Sequence, residues 1–316
     1  NAVTDQFGKT VAALELRGMG SDSIVKVSTV QNAIAATSPT SPKIPINYAL
    51  GFLLGLGLGF GVASLRRLLD NSVKNEDDLT GTPLLAAVGF DTMADEKPLI
   101  TQIGRYAART EAFRTIRTNL QYIRPDSPPK VIVVTSALPN EGKTTSAMNL
   151  ALSLSQAGSK TLLIEADLRR PKVSIYMEFS ANASGLTEIL ASAKSITPLL
   201  LKKNIHRYDD SKLDVLPAGV VPPNPSELLA SHRFDKLITV LRKKYKYIII
   251  DCPPLLPVTD AAIVSARVDG SILVIHAGVT KKPQFTGARD AMLSVGSTIL
   301  GVILNMIPES SLEYEY

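Results

Sequence analysis

Cysteine is almost absent from this 316-residue chain: Cys252 stands alone, which excludes an internal disulfide framework and any metal site built from several thiolates. Beside an apolar strand it reads as a small core residue. Histidine is nearly as scarce; His206, His232 and His276 are scattered without ligand spacing, and no chemistry is assigned to them. Charge of one sign does not dominate either. The 34 Lys and Arg against 29 Asp and Glu leave a net charge of +5, spread in mixed clusters, so nothing demands a nucleic-acid partner. The chain as it stands from Asn1 carries no stretch that reads as a signal peptide, and residues 46–65 carry no charge at all.

That uncharged stretch is about the length needed to cross ~30 Å of hydrocarbon as a helix. Its glycines would each cost a soluble helix about 1 kcal/mol, whereas a membrane helix uses them for close approach. Gly51, Gly55 and Gly59 stand four apart, as do Gly57 and Gly61. Arg66 and Arg67 follow directly, while Lys43 is the nearby cation before it, so the positive-inside bias places residues after 65 in the cytoplasm and 1–45 outside. An outside segment followed by one span implies that these residues are the C-terminal portion of a larger protein. Residues 24–30 alternate like a strand, the last piece of an external domain, and 35–45 form a proline-stiffened approach to the bilayer. The basic residues just inside could touch anionic lipid or serve solubility alone.

At 45% hydrophobic, the chain buries one good core, and about 200 residues after the span fit a single α/β domain. Residues 66–104, with the acidic run Glu76-Asp77-Asp78, suit a mobile linker with one apolar element at 84–90. Strands are expected at 131–135, 161–165, 213–216, 247–251, 271–275 and 300–305. Helical patterns fall between them at 143–157, 226–243, 259–267 and 284–295. This alternation predicts a parallel sheet with helices on both faces and a ligand site at the carboxyl ends of the strands. Ser226 is the expected cap of the 226–243 helix.

Three segments concentrate the chemistry. Ala137-Leu138-Pro139-Asn140-Glu141-Gly142-Lys143-Thr144-Thr145 follows the first strand and opens a helix, as a phosphate-binding loop requires. It departs from G-x-x-x-x-G-K-[ST] only in having Ala137 first. Loop amides over residues 139–145 would cradle phosphate, Lys143 would reach the β/γ oxygens, and Thr144 could ligate Mg²⁺. Glu165 and Asp167 end the 161–165 strand at i, i+2 spacing, so both could face one site. Asp251 ends the 247–251 strand, where a carboxylate would hold the waters of Mg²⁺.

Together these segments resemble the Walker A, A′ and B motifs of bacterial tyrosine autokinases, the cytoplasmic part of polysaccharide copolymerases (chain-length determinants), within the wider class of MinD/ParA-type ATPases. The resemblance spans about residue 106 to the end. That wider class usually carries a lysine five residues before the loop lysine; Leu138 stands there and favours the kinase branch. Glu111, Arg114 and Arg117 match the E-x2-R-x2-R motif by which the kinases assemble, an octameric ring by resemblance; Phe113, Ile116 and Leu120 would also suit a plain amphipathic helix.

The resemblance implies transfer of the ATP γ-phosphoryl group to tyrosine, with Mg²⁺ as cofactor. Lys143, Asp167 and Asp251 would act in catalysis, Thr144, Asp167 and Asp251 at the metal, and Asn305 at adenine. The first acid of Walker A′ is the family's base; Glu165 stands there instead of Asp, and Asn140 stands where the loop often has glycine. Glu165 could still reach, or the site could hydrolyse ATP with weak kinase activity. The acceptors implied are Tyr314 and Tyr316 in the tail 308–316, entering a neighbouring subunit. The implied partners are that ring, the bacterial inner membrane, the polysaccharide export machinery and an opposing phosphatase. The division expected is 1–45 external, 46–65 transmembrane, 66–104 linker, 105–307 kinase, 308–316 tail. A nonenzymatic copolymerase module that binds ATP only for assembly, and a positioning ATPase of the MinD/ParA kind, are the alternatives.

Overall fold

The computed structural model describes residues 2–17, 41–124, 126–180, 183–209 and 211–308. The expected strand at 24–30, the beginning of the proline-rich approach, and Tyr314 and Tyr316 lie outside these residues. The chain divides into two units, Asn1–Asp70 and Asn71–Tyr316. The first holds helices α1 (Ala2–Arg17) and α2 (Ile44–Leu69). Helix α2 has 26 residues, none buried, with Arg66 and Arg67 in its last turn. It is long and apolar enough to cross a membrane.

The second unit is built on eight strands: β1 (Leu84–Gly89), β2 (Val131–Ser136), β3 (Thr161–Glu165), β4 (His206–Arg207), β5 (Leu213–Leu216), β6 (Tyr247–Asp251), β7 (Gly270–His276) and β8 (Ile299–Ile307). Their order in one sheet is β1-β8-β7-β2-β6-β3-β5-β4, parallel throughout except for β4 against β5. The helices are α3 (Ala108–Tyr122), α4 (Lys143–Gln156), α5 (Val173–Tyr176), α6 (Leu186–Ala191), α7 (Pro198–Asn204), α8 (Pro225–Ala230), α9 (His232–Arg242), α10 (Asp260–Ser265) and α11 (Lys282–Ser294).

Strands with apolar side chains at every position need cover on both faces, and the sheet has it. Val131 and Val133 of β2 belong to one buried cluster with Phe234, Leu237 and Phe285. Ile132 and Val134 belong to another with Phe113, Ile116 and Leu150. The switch of side at each residue is the pleat itself. Parallel strands connected through helices bring the carboxyl ends of β2, β3 and β6 together, which is where the three chemistry-bearing segments lie.

The structure differs from the sequence expectation in three places. Residues 84–90 are no linker element: β1 pairs parallel with β8 as an edge of the sheet, and the compact unit starts near Asn71. Before it, Val73 N–H donates to Thr280 O (2.8 Å) and Gly278 N–H to Val73 O (2.8 Å), fastening residues 71–73 to the body. The helical pattern 226–243 breaks at Ser231, which ends α8 and caps α9 by accepting from Phe234 N–H at 3.3 Å. Ser226 lies inside the first turn of α8, after Asn224 and Pro225, and its hydroxyl turns to Asp260 instead.

Candidate functional site

Between β2 and α4 the backbone needs two residues in the left-handed region, Asn140 (φ 65°) and Gly142 (φ 88°). Asparagine tolerates that region better than most residues, which accounts for its place where glycine is common. Gly142 has a further reason: a Cβ there would lie 2.1 Å from Asn305 Nδ2. Asn305, at the end of β8, donates from Nδ2 to Glu141 O at 2.9 Å and so holds the loop from the side. Glu141 turns inward and is 3% exposed. It accepts from Leu138 N–H (2.7 Å) and from the Thr280 hydroxyl, and burial raises its pKa. Its side chain therefore braces the loop, leaving only its backbone to a ligand.

Lys143 opens α4, so the amides of the first turn and the positive end of the helix face the same space as its ammonium. Nζ donates to Asp167 Oδ2 (2.8 Å) and to Thr144 Oγ1 (3.1 Å), with Asp251 Oδ1 at 3.7 Å. Burial works against this ammonium, but Asp251 and Asp167 outweigh it and raise its pKa. Asp251 is fully buried, and neither of its oxygens has a hydrogen-bond partner among the described residues. Burial pushes its pKa up to about 6 while Lys143 holds it down. An open cavity lies over this group. Asn140, Lys143, Thr144 and Asp167 line it, with Arg170 and the Pro253-Pro254 turn on its rim.

Glu165 is placed differently from its expected partners. It is 0% exposed; Oε1 accepts from Lys172 N–H (2.5 Å) and Val173 N–H (2.6 Å), and Oε2 from Ala218 N–H (3.1 Å). Burial raises its pKa to about 7. The i, i+2 spacing does not bring both acids to one space because β3 ends at Glu165 and Asp167 already belongs to the following loop. There Asp167 Oδ1 accepts from Arg170 N–H at 3.1 Å while Oδ2 meets Lys143.

Glu111 and Arg114 pair at 2.9 Å on the outer side of α3. Arg117 is turned back onto α4, donating to Ser153 O at 3.1 Å. Sequence reasoning missed the fork made by Arg169, whose Nε and Nη2 reach Asp260 at 2.8 and 3.1 Å while Nη2 also reaches Ser226 Oγ at 3.0 Å. It pins the loop carrying Asp167 to α8 and α10, and Asp260 raises the pKa of its guanidinium. The adjacent Arg169-Arg170 after the acid pair was its one sign in the sequence.

Comparison with known proteins bears on this geometry. Residues 130–278 match the family described as an AAA domain. Tyrosine-protein kinase YwqD of Bacillus subtilis is 41% identical over 196 residues, covering 62% of this chain and 80% of that protein. Tyrosine-protein kinase Etk of Escherichia coli is 31% identical over 325 residues, covering 96% of this chain and 44% of Etk. The solved kinase domain of Escherichia coli Etk superposes with a TM-score of 0.67 at 29% identity, covering 75% of this chain and 96% of that domain.

Proposed function

Since the chain belongs to the bacterial tyrosine-protein kinase family and is a protein-tyrosine kinase of P-loop fold, we propose that it phosphorylates Tyr314 and Tyr316 of a neighbouring copy from ATP. Helix α2 anchors it in the plasma membrane with the compact unit on the cytoplasmic side. Phosphate on the tail, flanked by Glu313 and Glu315, adds repulsion between copies and loosens a ring in which Glu111, Arg114 and Arg117 take part. Through that ring the kinase controls polymerisation and export of an exopolysaccharide or capsule, as the cytoplasmic part of a chain-length copolymerase whose opposing enzyme is a phosphotyrosine phosphatase.

One observation carries the catalytic reading: Lys143, Asp167, Thr144 and Asp251 converge where the helix dipole and loop amides already favour anions. Lys143 and the loop amides neutralise charge on the transferring phosphoryl group. For Mg²⁺, the fit is supported by buried Asp251, whose oxygens make no close hydrogen bond and have Lys143 Nζ at 3.7 Å as their charged partner. Among the described residues no three carboxylates, histidines or cysteines cluster, so Thr144, Asp167 and Asp251 would hold the ion together with phosphate oxygens and water. When bound, it supplies charge neutralisation across the β- and γ-phosphates.

A tyrosine hydroxyl has a pKa near ~10 and needs a carboxylate to take its proton. Both oxygens of Glu165 are committed to backbone amides, so it is not free to take that proton and instead holds the loop, while Asp167 is the acid of the pair that lines the cavity. Incubating the protein with Mg-ATP and mapping phosphate by mass spectrometry tests the reading. Phosphate on Tyr314 or Tyr316, lost in Lys143→Met, is expected; phosphate that persists in Lys143→Met would overturn it.

A further inference from the structure

A second, smaller cavity lies on the other side of the phosphate loop, between the end of β1, the start of α3 and the end of β8. Gly142, Thr145 and Met306 line both this cavity and the larger one, so the two adjoin across the first turn of α4. Arg109 forms part of its wall and is 6% exposed. One terminal nitrogen, Nη2, donates to Lys97 O at 2.5 Å and stands 3.5 Å from Asp91 Oδ2. The other two, Nε and Nη1, are buried and have no hydrogen-bond partner among the described residues.

A guanidinium stays charged and offers donors only, so leaving two of them unmade in a buried place is costly. A buried donor left so in a native fold calls for a specific explanation, and a ligand in the adjoining cavity supplies one. Asp91, also in this wall, offers only acceptors. A ligand edge satisfying both must carry an acceptor next to a donor. Thr145 lines both cavities, so a nucleoside triphosphate with its terminal phosphate at Lys143 that runs along the first turn of α4 reaches this cavity base first. The edge of adenine offers a ring nitrogen beside an exocyclic amine; guanine turns two acceptors outward at the corresponding edge.

We infer that Arg109 selects the nucleobase, donating to a ring nitrogen of adenine while Asp91 accepts from its exocyclic amine. The inference rests on nucleotide binding at the Lys143 loop proposed above. Asn149 supports the arrangement by tying the segment behind Asp91 to α4: its Oδ1 accepts from Ile100 N–H (2.8 Å) and its Nδ2 donates to Pro98 O (2.9 Å).

The test compares dissociation constants of Mg-ATP, Mg-GTP and Mg-tripolyphosphate for the full chain and for Arg109→Met, Arg109→Gln and Lys143→Met. Tripolyphosphate reports on the loop without the base and doubles as a check that each variant is folded. Loss of about tenfold or more in ATP affinity with tripolyphosphate affinity unchanged, and collapse of the ATP-over-GTP preference, is the expected result for both Arg109 variants. Equal weakening of ATP and tripolyphosphate would make Arg109 a purely structural tie, and unchanged ATP affinity would remove it from the site; either outcome overturns the inference. Failure of the unaltered chain to bind tripolyphosphate, or binding that survives Lys143→Met, would instead remove the loop reading on which it stands.

Discussion

The two ends of the nucleotide site are built on different terms. At the phosphate end, Lys143, Thr144, Asp167 and Asp251 are set by the ends of three adjacent central strands, buried on both faces, and the groups neutralise one another within 4 Å. At the other end, the cavity is walled by an edge strand, a loop and the start of α3, and its one strong cation keeps two donors unused. Charge handling needs fixed positions and fixed residue types, so it sits on the stiffest part of the sheet. The base recognition inferred for it would need only shape and a few polar atoms, and its cavity is walled by pieces distant in sequence.

The sharpest way to break this comparison is at Lys143. Lys143→Met is expected to lower phosphotransfer by more than ~10³-fold, leaving the thermal unfolding midpoint within a few degrees; single-turnover assays with labelled ATP measure it. Gly142→Ala comes next, because its φ of 88° and the 2.1 Å approach of Asn305 Nδ2 force both ends of the site to shift. A loss of roughly a hundredfold in phosphotransfer, with ATP and tripolyphosphate affinity falling together, is expected. If only ATP suffered, the loop would not be the common wall of the two cavities.

Glu165→Gln separates loop bracing from chemistry. The folded pKa of Glu165, about 7, lies above its ordinary value of 4.5, so between those pH values the folded chain holds a proton that the unfolded chain has released. Its contribution to stability is present in full below about pH 4.5 and is lost as pH rises through about 7. The variant should flatten that slope in urea unfolding measured at pH 5 and pH 7.5, and cost about 1–3 kcal/mol at pH 5 by setting an amide against backbone donors. An unaltered pH slope would show that the carboxyl stays ionised in the fold. Thr280→Val is the smallest change proposed. It removes one hydroxyl from Glu141 and should cost about 1 kcal/mol or less, with the nucleotide affinity ratio unchanged.

How far the sequence reveals this molecule follows the same division. Strands β3 and β6 were legible to the residue because doubly buried parallel strands read as apolar runs ended by acids, and β5, though Asp214 interrupts it, because Pro217 stops it. The phosphate loop was legible because its chemistry demands contiguous residues. Strand β1 was read as part of a linker since its neighbour in the sheet, β8, comes more than 200 residues later, and nothing local announces the pairing. The role of Glu165 was hidden for a related reason: its partners Lys172, Val173 and Ala218 present backbone amides, which have no sequence signature. Arg109 was passed over because burial and a missing partner are properties of the fold alone.

Strand β1 also bears on how the second unit behaves when taken alone. It covers β8, a nine-residue strand, Ile299–Ile307, that contains one amide and otherwise apolar side chains and glycine. A version trimmed at residue 105, where the sequence motifs begin, would present that strand as a long, uncharged, unpaired edge without proline. Such an edge is a template for self-association into insoluble β-stacks. The opposite border of the sheet needs no such cover, because the two-residue β4 ends it with Arg207 beside Asp214. Solubility of the second unit taken alone therefore depends on the segment that also walls the second cavity, and a form that keeps β1 in place starts at the boundary of that unit, Asn71.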